Sequence, residues 1–313
     1  MAKLKDLALR EERLIGGHRL CPGCGHSIVI RQILRTVENP VVIANATGCL
    51  EVCTTVFPYS AWKTPWIHSA FENAAATVSG IEAMYRALKR RGKIKPEKEI
   101  KFMAIGGDGG TYDIGLQSLS GAMERGHNMV YVCNDNEAYM NTGGQRSSAT
   151  PYGAYTTTTP VGKIKKGKQQ FRKDLTQIMV SHNIPYVAQT SPARWKDLTD
   201  KAKKAFDVEG PAFLNVLSVC PTDWKIPTSM GLRITQLAHD TCFWPLYEVE
   251  NGRYKINYKP KKKLPIEEWL KPQGRFKHLF QPENRDIIAM LQEDVDRKWE
   301  ELNRLATYES STA

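Results

Sequence analysis

The sequence predicts an α/β fold organised on a parallel sheet, and three observations carry that expectation. The first is the stretch Lys101 to Gln145, KFMAIGGDGGTYDIGLQSLSGAMERGHNMVYVCNDNEAYMNTGGQ. A short apolar run, Phe102 to Ile105, breaks into Gly106-Gly107-Asp108-Gly109-Gly110, and a helical pattern follows with Ile114, Leu116, Leu119 and Met123 near one face. A second apolar run, Met129 to Cys133, ends in Asn134-Asp135-Asn136. Strand, glycine turn, helix and strand in that order make a βαβ unit. The second observation is that the rhythm recurs: Phe171 to Val180 and Ala193 to Phe206 have helical patterns, and Tyr186 to Gln189 and Ala212 to Val219 read as strands. The third is size: 313 residues, 41% hydrophobic and 25% charged, suffice for a substantial globular core in one large or two modest domains.

The remaining elements follow in chain order. Residues 1–20 form a polar lead-in to Cys21-Pro22-Gly23-Cys24-Gly25-His26. Ile28 to Val37 has helical spacing, and Val41 to Ala44 reads as a buried strand that ends at Thr47-Gly48-Cys49, with Cys53 just beyond. Phe57 to Phe71 is rich in aromatics and proline and predicts an irregular loop, with Phe57, Tyr59, Trp62, Trp66 and Phe71 forming an uncovered apolar face. Glu72 to Arg91 is an alanine-rich helix stopping before Gly92. Thr142 to Gly167, dense in Gly, Pro, Thr and Ser, predicts a long loop, and loops of such length within compact regions are functional or mobile. Beyond about Thr241 the alternation stops: Glu248 to Pro260 predicts a hairpin turning at Asn251-Gly252, and Ile287 to Leu305 a charged amphipathic helix.

No apolar run approaches the length of a membrane span. The N-terminal MAKLKDLALREERLIGG is charged and lacks the apolar core of a secretory signal, which predicts a cytoplasmic protein with no membrane partner. The net charge of +11 gathers at Lys163 to Lys168 and Lys259 to Lys263, without the interleaved aromatics of a nucleic-acid module, so no nucleic-acid partner is expected. Such runs suit solvated loops or an acidic protein partner.

Chemistry is expected where the central unit turns. Glycines let the backbone approach a ligand, and a helix start offers free N–H groups, an arrangement that suits a diphosphate. Asp108 stands where a hard metal ligand is useful, and Asn136 follows the next strand, 28 positions later. Adjacent parallel strands would bring both to one carboxyl edge, where open α/β sheets bind ligands. Aspartate, amide oxygen and a backbone carbonyl, with phosphate oxygens and water, can complete an octahedral Mg²⁺ site. The plainer alternative is a βα turn whose aspartate caps a helix. GGDGG lacks the spacing of the dinucleotide fingerprint.

Seven cysteines point to metal or cluster ligation rather than disulfides. Cys21 and Cys24 share one tight turn, compatible with zinc, a redox dithiol or an iron–sulfur cluster. Further ligands are open among Cys49, Cys53, Cys133, Cys220 and Cys242, although Cys133 and Cys242 lie in apolar settings that suit buried small hydrophobes.

GDGGTYDIG followed by NDNEAYMNTGGQRSSATPYGA resembles the β subunit of 2-oxoacid:ferredoxin oxidoreductases, of the pyruvate type, from about Cys21 to Trp244 and more weakly beyond. The resemblance implies a thiamine-diphosphate-binding fold, its diphosphate-side domain spanning residues 1–240 and an irregular extension, residues 241–313, packing on a partner or on the core. It implies thiamine diphosphate, Mg²⁺ and a [4Fe–4S] cluster as cofactors. Cluster ligands would be Cys21, Cys24, Cys49 and Cys220, leaving Cys53 as a packing residue. Mg²⁺ would be held by Asp108, the Asn136 side chain, where many relatives have Thr, and the Ala138 carbonyl. Gly107 and Gly109 would approach the diphosphate, Cys49 and His26 would line the cofactor cleft, and Asn141 would face the reacting substrate carbon. The implied activity is oxidative decarboxylation of a 2-oxoacid, with electrons leaving through the cluster to ferredoxin and the acyl group passing to CoA. Oxalate, 2-oxoglutarate or another 2-oxoacid are the alternatives within that fold. The glutamate that activates thiamine belongs to a separate pyrimidine-binding domain not found here, so an α-type subunit is the expected partner, with a γ- or δ-type subunit carrying further clusters. A reading from another class, a basic zinc-stapled binding protein, accounts for the CxxC and the charge but not for the two glycine- and asparagine-rich turns.

Overall fold

A computed structural model of the chain describes residues 3–308. Residues 1, 2 and 309–313, the outer ends of the expected lead-in and extension, lie outside the described residues. Eight strands make one sheet: β1 (Val41–Ala46), β2 (Trp66–Ser69), β3 (Lys101–Gly107), β4 (Val130–Asp135), β5 (Tyr186–Thr190), β6 (Ala212–Leu217), β7 (Tyr247–Glu250) and β8 (Arg253–Ile256). Their order is β2-β1-β3-β4-β6-β5-β7-β8. The strands from β2 to β5 in that order are all parallel. The hairpin β7–β8 joins antiparallel to β5. The α/β class read from the sequence is therefore the fold.

The helices are α1 (Leu4–Leu9), α2 (Gly25–Leu34), α3 (Cys49–Thr54), α4 (Ala74–Arg90), α5 (Leu116–Glu124), α6 (Leu175–Val180), α7 (Trp195–Asp207), α8 (Pro221–Trp224), α9 (Gly231–Asp240), α10 (Glu267–Leu270) and α11 (Arg285–Tyr308). Strand side chains alternate between two helical layers. Met103, Ile105, Val130 and Val132 pack against α2 and α7. Phe102, Ala104, Tyr131 and Cys133 face α4, α5 and α6. With both faces covered, β4 and β6 are buried along their whole length, as parallel strands between helices must be. A third apolar cluster, around Trp224, Trp244, Trp269 and Phe276, binds α8–α11 to the chain after β6.

Several local expectations change. The aromatic segment Phe57 to Phe71 contains β2, which pairs with β1 at the sheet edge. Trp62 is buried: its ring stacks on Trp66 at 5.9 Å and its indole N–H donates to Thr54 Oγ1 at 2.9 Å. Phe57 and Tyr59 are the fully uncovered members, 93% and 77% exposed. A π turn, Gly109–Asp113, precedes α5 and rotates its apolar face, leaving Ile114 exposed while Leu119 and Met123 are buried. The helix expected from Phe171 begins only at Leu175, where Asp174 accepts the Gln177 N–H, because Arg172 is drawn inward to Asp135 and Glu137. The hairpin turns at Asn251-Gly252 as expected, both with left-handed φ of 50° and 81°. Among the described residues no helix is long and apolar enough to cross a membrane.

Candidate active site

The carboxyl ends of β1, β3 and β4 open on a cleft of about 160 Å³. Asn45, Thr47 and Cys49 line it at and beyond the end of β1, Gly107 and Asp108 at the end of β3, and Asn134, Asn136, Ala138 and Asn141 at and beyond the end of β4, with His26 entering from α2. Parallel pairing of Gly107 with Asn134 sets the two glycine- and asparagine-rich turns side by side.

The glycines divide into packed and open positions. A Cβ on Gly106 would stand 2.4 Å from the Tyr131 hydroxyl, and one on Gly109 would stand 2.3 Å from the Tyr139 ring. A Cβ on Gly107 would meet nothing within 4 Å, so its α-carbon faces free space in the cleft. That is the room a diphosphate needs against the backbone.

Asp108 is wholly buried. Its carboxylate accepts the Asn136 N–H at 3.3 Å and the Ser147 hydroxyl. Burial, and then the neighbouring Asp135 carboxylate, push its pKa well above the usual range. A carboxylate so placed is stabilised as the anion by a divalent cation. Asn136 Oδ1 accepts the Ala138 N–H at 3.2 Å. Between them Glu137 takes a left-handed φ of 70°, which folds the chain into a tight turn, and Thr150 donates to its carbonyl. Carboxylate, amide oxygen and carbonyl are a hard-oxygen set of the kind Mg²⁺ takes.

His26 is buried between Asn136 and Ser218, with Nδ1 2.9 Å from the serine hydroxyl. Burial lowers its pKa to about 4, so the imidazole is neutral at physiological pH.

The thiols come from three segments. The Cys24 N–H donates to the Cys21 carbonyl at 3.0 Å, closing the CxxC turn. Gly25 donates to the Val219 carbonyl at 2.9 Å, and a Cβ there would lie 2.7 Å from Val219 N, so the turn is pinned to the Cys220 loop. Cys24 and Cys220 stand as the N-caps of α2 and α8, and the Cys220 sulfur accepts the Asp223 N–H at 3.4 Å. Burial pushes Cys24 and Cys220 up to about 12 and Cys49 to about 11, and neighbouring thiols add to each shift. Cys21, Cys24, Cys49 and Cys220 thus form one electrostatic neighbourhood. Half-buried Cys53, raised by burial and then by Cys21, belongs to it too. A group of thiols that oppose each other's ionisation suits a polycationic iron–sulfur core. Among the described residues no three His, Cys, Asp or Glu side chains sit at the spacing of a single-ion site. Cys133 and Cys242 are buried elsewhere. Asn141, on the exposed turn after β4, lines the same cleft as Cys49 and lowers the pKa of that thiol, so it stands between the oxygen-rich and sulfur-rich halves.

Sequence reasoning missed several members. Asn45 and Asn134 are buried and line the cleft, yet Asn45 Nδ2 and both amide atoms of Asn134 lack hydrogen-bond partners in the chain. Buried polar groups require partners, so these amides are ready to meet a polar ligand. A polar residue closing an apolar strand was the available signal. Ser147, Glu137 and Arg275 had no local signal, since each acts through residues distant in sequence.

Residues 46–216 match the family described as thiamine pyrophosphate enzyme, C-terminal TPP binding domain. The chain is 50% identical to pyruvate synthase subunit PorB of Thermotoga maritima, over 97% of this chain and 94% of that one. It is 52% identical to pyruvate synthase subunit PorB of Methanocaldococcus jannaschii, over 92% and 96%. Ketoisovalerate oxidoreductase subunit VorB of Pyrococcus abyssi is 45% identical over 95% and 94%. In structure the chain resembles the 2-oxoglutarate:ferredoxin oxidoreductase of Magnetococcus marinus, with a TM-score of 0.57 and 23% identity over 67% of each chain, a likeness of fold. With identity near one half along almost its whole length and a thiamine pyrophosphate binding domain at its centre, the chain belongs to the β subunits of the 2-oxoacid:ferredoxin oxidoreductases, which are thiamine diphosphate enzymes.

Proposed function

We propose that this chain is the diphosphate- and cluster-binding subunit of a pyruvate:ferredoxin oxidoreductase. The observation that carries the reading is the single cleft lined by Asp108, Asn136 and Ala138 on one side and by Cys49 on the other, which sets the oxygen-rich turn beside one of the thiols. Asp108, Asn136 and Ala138 would hold Mg²⁺, Gly107 would leave room for the diphosphate, and Asn45 and Asn134 would orient what lies in the cleft. Cys21, Cys24, Cys49 and Cys220 would hold a [4Fe–4S] cluster. Thiamine diphosphate held here would supply the carbanion chemistry that decarboxylates a 2-oxoacid, and a cluster held by the four cysteines would supply a one-electron acceptor. Overall, pyruvate, CoA and two oxidised ferredoxins would yield acetyl-CoA, CO₂, two reduced ferredoxins and one proton.

Pyruvate is favoured because relatives at 50% and 52% identity are named pyruvate synthase subunits. The ketoisovalerate relative at 45% supports a branched 2-oxoacid as the second reading. Residues 1–240 would carry both cofactor sites, with 241–313 as an extension serving them, and the working compartment would be the cytoplasm. An α-type subunit would supply the activating glutamate, and exposed Phe57 and Tyr59 suit burial against it. A further cluster-bearing subunit would pass electrons to ferredoxin.

The test is anaerobic purification of the chain alone and with its partner subunits. The complex should reduce ferredoxin with pyruvate in a CoA-dependent way, faster than with ketoisovalerate, 2-oxoglutarate or oxalate. The isolated chain should bind thiamine diphosphate poorly and oxidise none of them. An isolated chain as active as the complex would refute the shared site.

A further inference from the structure

Glu137 stands between the two turn residues offered to the metal, Asn136 and Ala138. Its left-handed backbone is an unfavourable conformation for a residue with a Cβ, and persists only where surroundings hold it. Its carboxylate, without solvent exposure, accepts from Arg172 Nη1 at 2.9 Å and from Arg275 Nη2. Arg172 is already committed to Asp135 at 2.7 Å. Arg275 arrives from a 3₁₀ turn, Gly274–Phe280, 138 positions along the chain, and is itself wholly buried.

The same guanidinium reaches the thiol side. It lies 4.5 Å from the Trp224 ring, and its Nη1 is 3.6 Å from Asp223 Oδ2. Asp223 and Trp224 belong to α8, the turn that Cys220 caps. The Asp223 N–H donates to the Cys220 sulfur, and the Trp224 indole N–H donates to the Asn136 carbonyl at 3.0 Å. One planar cation therefore touches the carboxylate that braces the oxygen turn, the residue that closes the Cys220 turn on its own sulfur, Asp223, and the residue that ties that turn to Asn136, Trp224.

We infer that Arg275 is a positioning residue for both halves of the site: through Glu137 it fixes the Asn136–Ala138 turn, and through Asp223 and Trp224 it fixes the Cys220 turn, so the two are mechanically coupled. The inference rests on the reading above, in which these turns hold Mg²⁺ with thiamine diphosphate and an iron–sulfur cluster. Arg is needed because a planar fork can pair with a carboxylate and stack on an indole at once, which a lysine cannot.

The test uses the assembled enzyme carrying Arg275→Lys. The Mg²⁺ concentration for half-maximal thiamine diphosphate binding should rise about tenfold or more, the usual effect of removing a residue that orients metal ligands. The paramagnetic spectrum of the dithionite-reduced cluster should shift in the same variant. If Arg275→Lys does not assemble, Glu137→Gln with Arg275→Met removes the ion pair as a unit and takes the same two measurements. Wild-type values in both overturn the inference, and so does a change at the Mg²⁺ turn with an unaltered cluster spectrum. A wild-type enzyme with neither Mg²⁺-dependent binding nor a reducible cluster overturns the underlying reading and the inference with it. An intact wild type with unchanged variants overturns the inference alone.

Discussion

The side-chain nitrogen of Asn136 lies 3.2 Å from Nε2 of His26, joining the turn after β4 to the helix that begins at the CxxC motif. The amide nitrogen can only donate, so Nε2 accepts, and Nδ1 of the neutral ring carries the proton toward Ser218. This fixes the imidazole tautomer, and it leaves the Asn136 oxygen on the side of Ala138. The histidine thereby orients the Asn136 amide, the group proposed to meet Mg²⁺, without carrying charge.

Replacing Cys21, Cys24, Cys49 or Cys220 by Ala should remove the iron of this subunit, about four atoms per chain for a Cys₄ cluster. Cys53→Ala should retain it. Iron and acid-labile sulfide analysis on anaerobically purified complexes decides. Because Cys53 shares the thiol neighbourhood, loss of iron in Cys53→Ala with retention in Cys49→Ala would exchange their roles.

Asp108→Asn should abolish retention of Mg²⁺ and thiamine diphosphate while the thermal midpoint holds or rises. The amide nearly matches the carboxylate in shape and removes a buried charge, yet withdraws the anionic ligand. Cofactor content by mass balance and a thermal melt check the two halves separately. Full cofactor occupancy would exclude this metal site.

Two neighbouring glycines should behave oppositely. Gly107→Ala adds a methyl to open space, so the fold should be kept while thiamine diphosphate binding weakens. Gly109→Ala drives a methyl into the Tyr139 ring and should cost about 1–3 kcal/mol of stability, the usual range for overpacking. Urea unfolding and a binding titration on both variants distinguish them.

Acid should destabilise the fold through His239, which is buried 2.8 Å from the Ser191 hydroxyl. Burial, and then Arg194 and Lys201, lower its pKa from the ordinary 6.5 to about 3. Between those values the unfolded chain binds the proton and the folded chain does not. Its stabilising effect is therefore complete above pH 6.5 and falls below it by about 1.4 kcal/mol per pH unit. Urea unfolding between neutral pH and about pH 5 should show a shallower pH dependence for His239→Gln than for wild type. Equal slopes would remove His239 from the acid response.

The central unit was legible because its signals are local: two apolar strands, a glycine turn between them, and Asn251-Gly252 at the hairpin. β2 was hidden because its four residues lie inside a proline-rich aromatic run, where edge pairing outweighed the irregular pattern. Trp62 read as surface because its burial depends on Thr54 and Trp66, and neither contact has a periodicity. The oxygen-bearing residues and thiols proposed as ligands stand on recognisable short motifs. The residues that brace them, such as Ser147 on Asp108 and Arg275 on Glu137, become neighbours only through tertiary folding.

The separation of 138 residues between Glu137 and Arg275 also orders events during synthesis. Domains emerge from the ribosome N-terminus first, and contacts between distant residues must await the later partner. The sheet strands, the CxxC turn and Cys220 can all form before Arg275 has been translated, but the brace on the Asn136–Ala138 turn cannot. The contact between Glu137 and Arg275 is thereby among the last parts of this region to form as the chain is made.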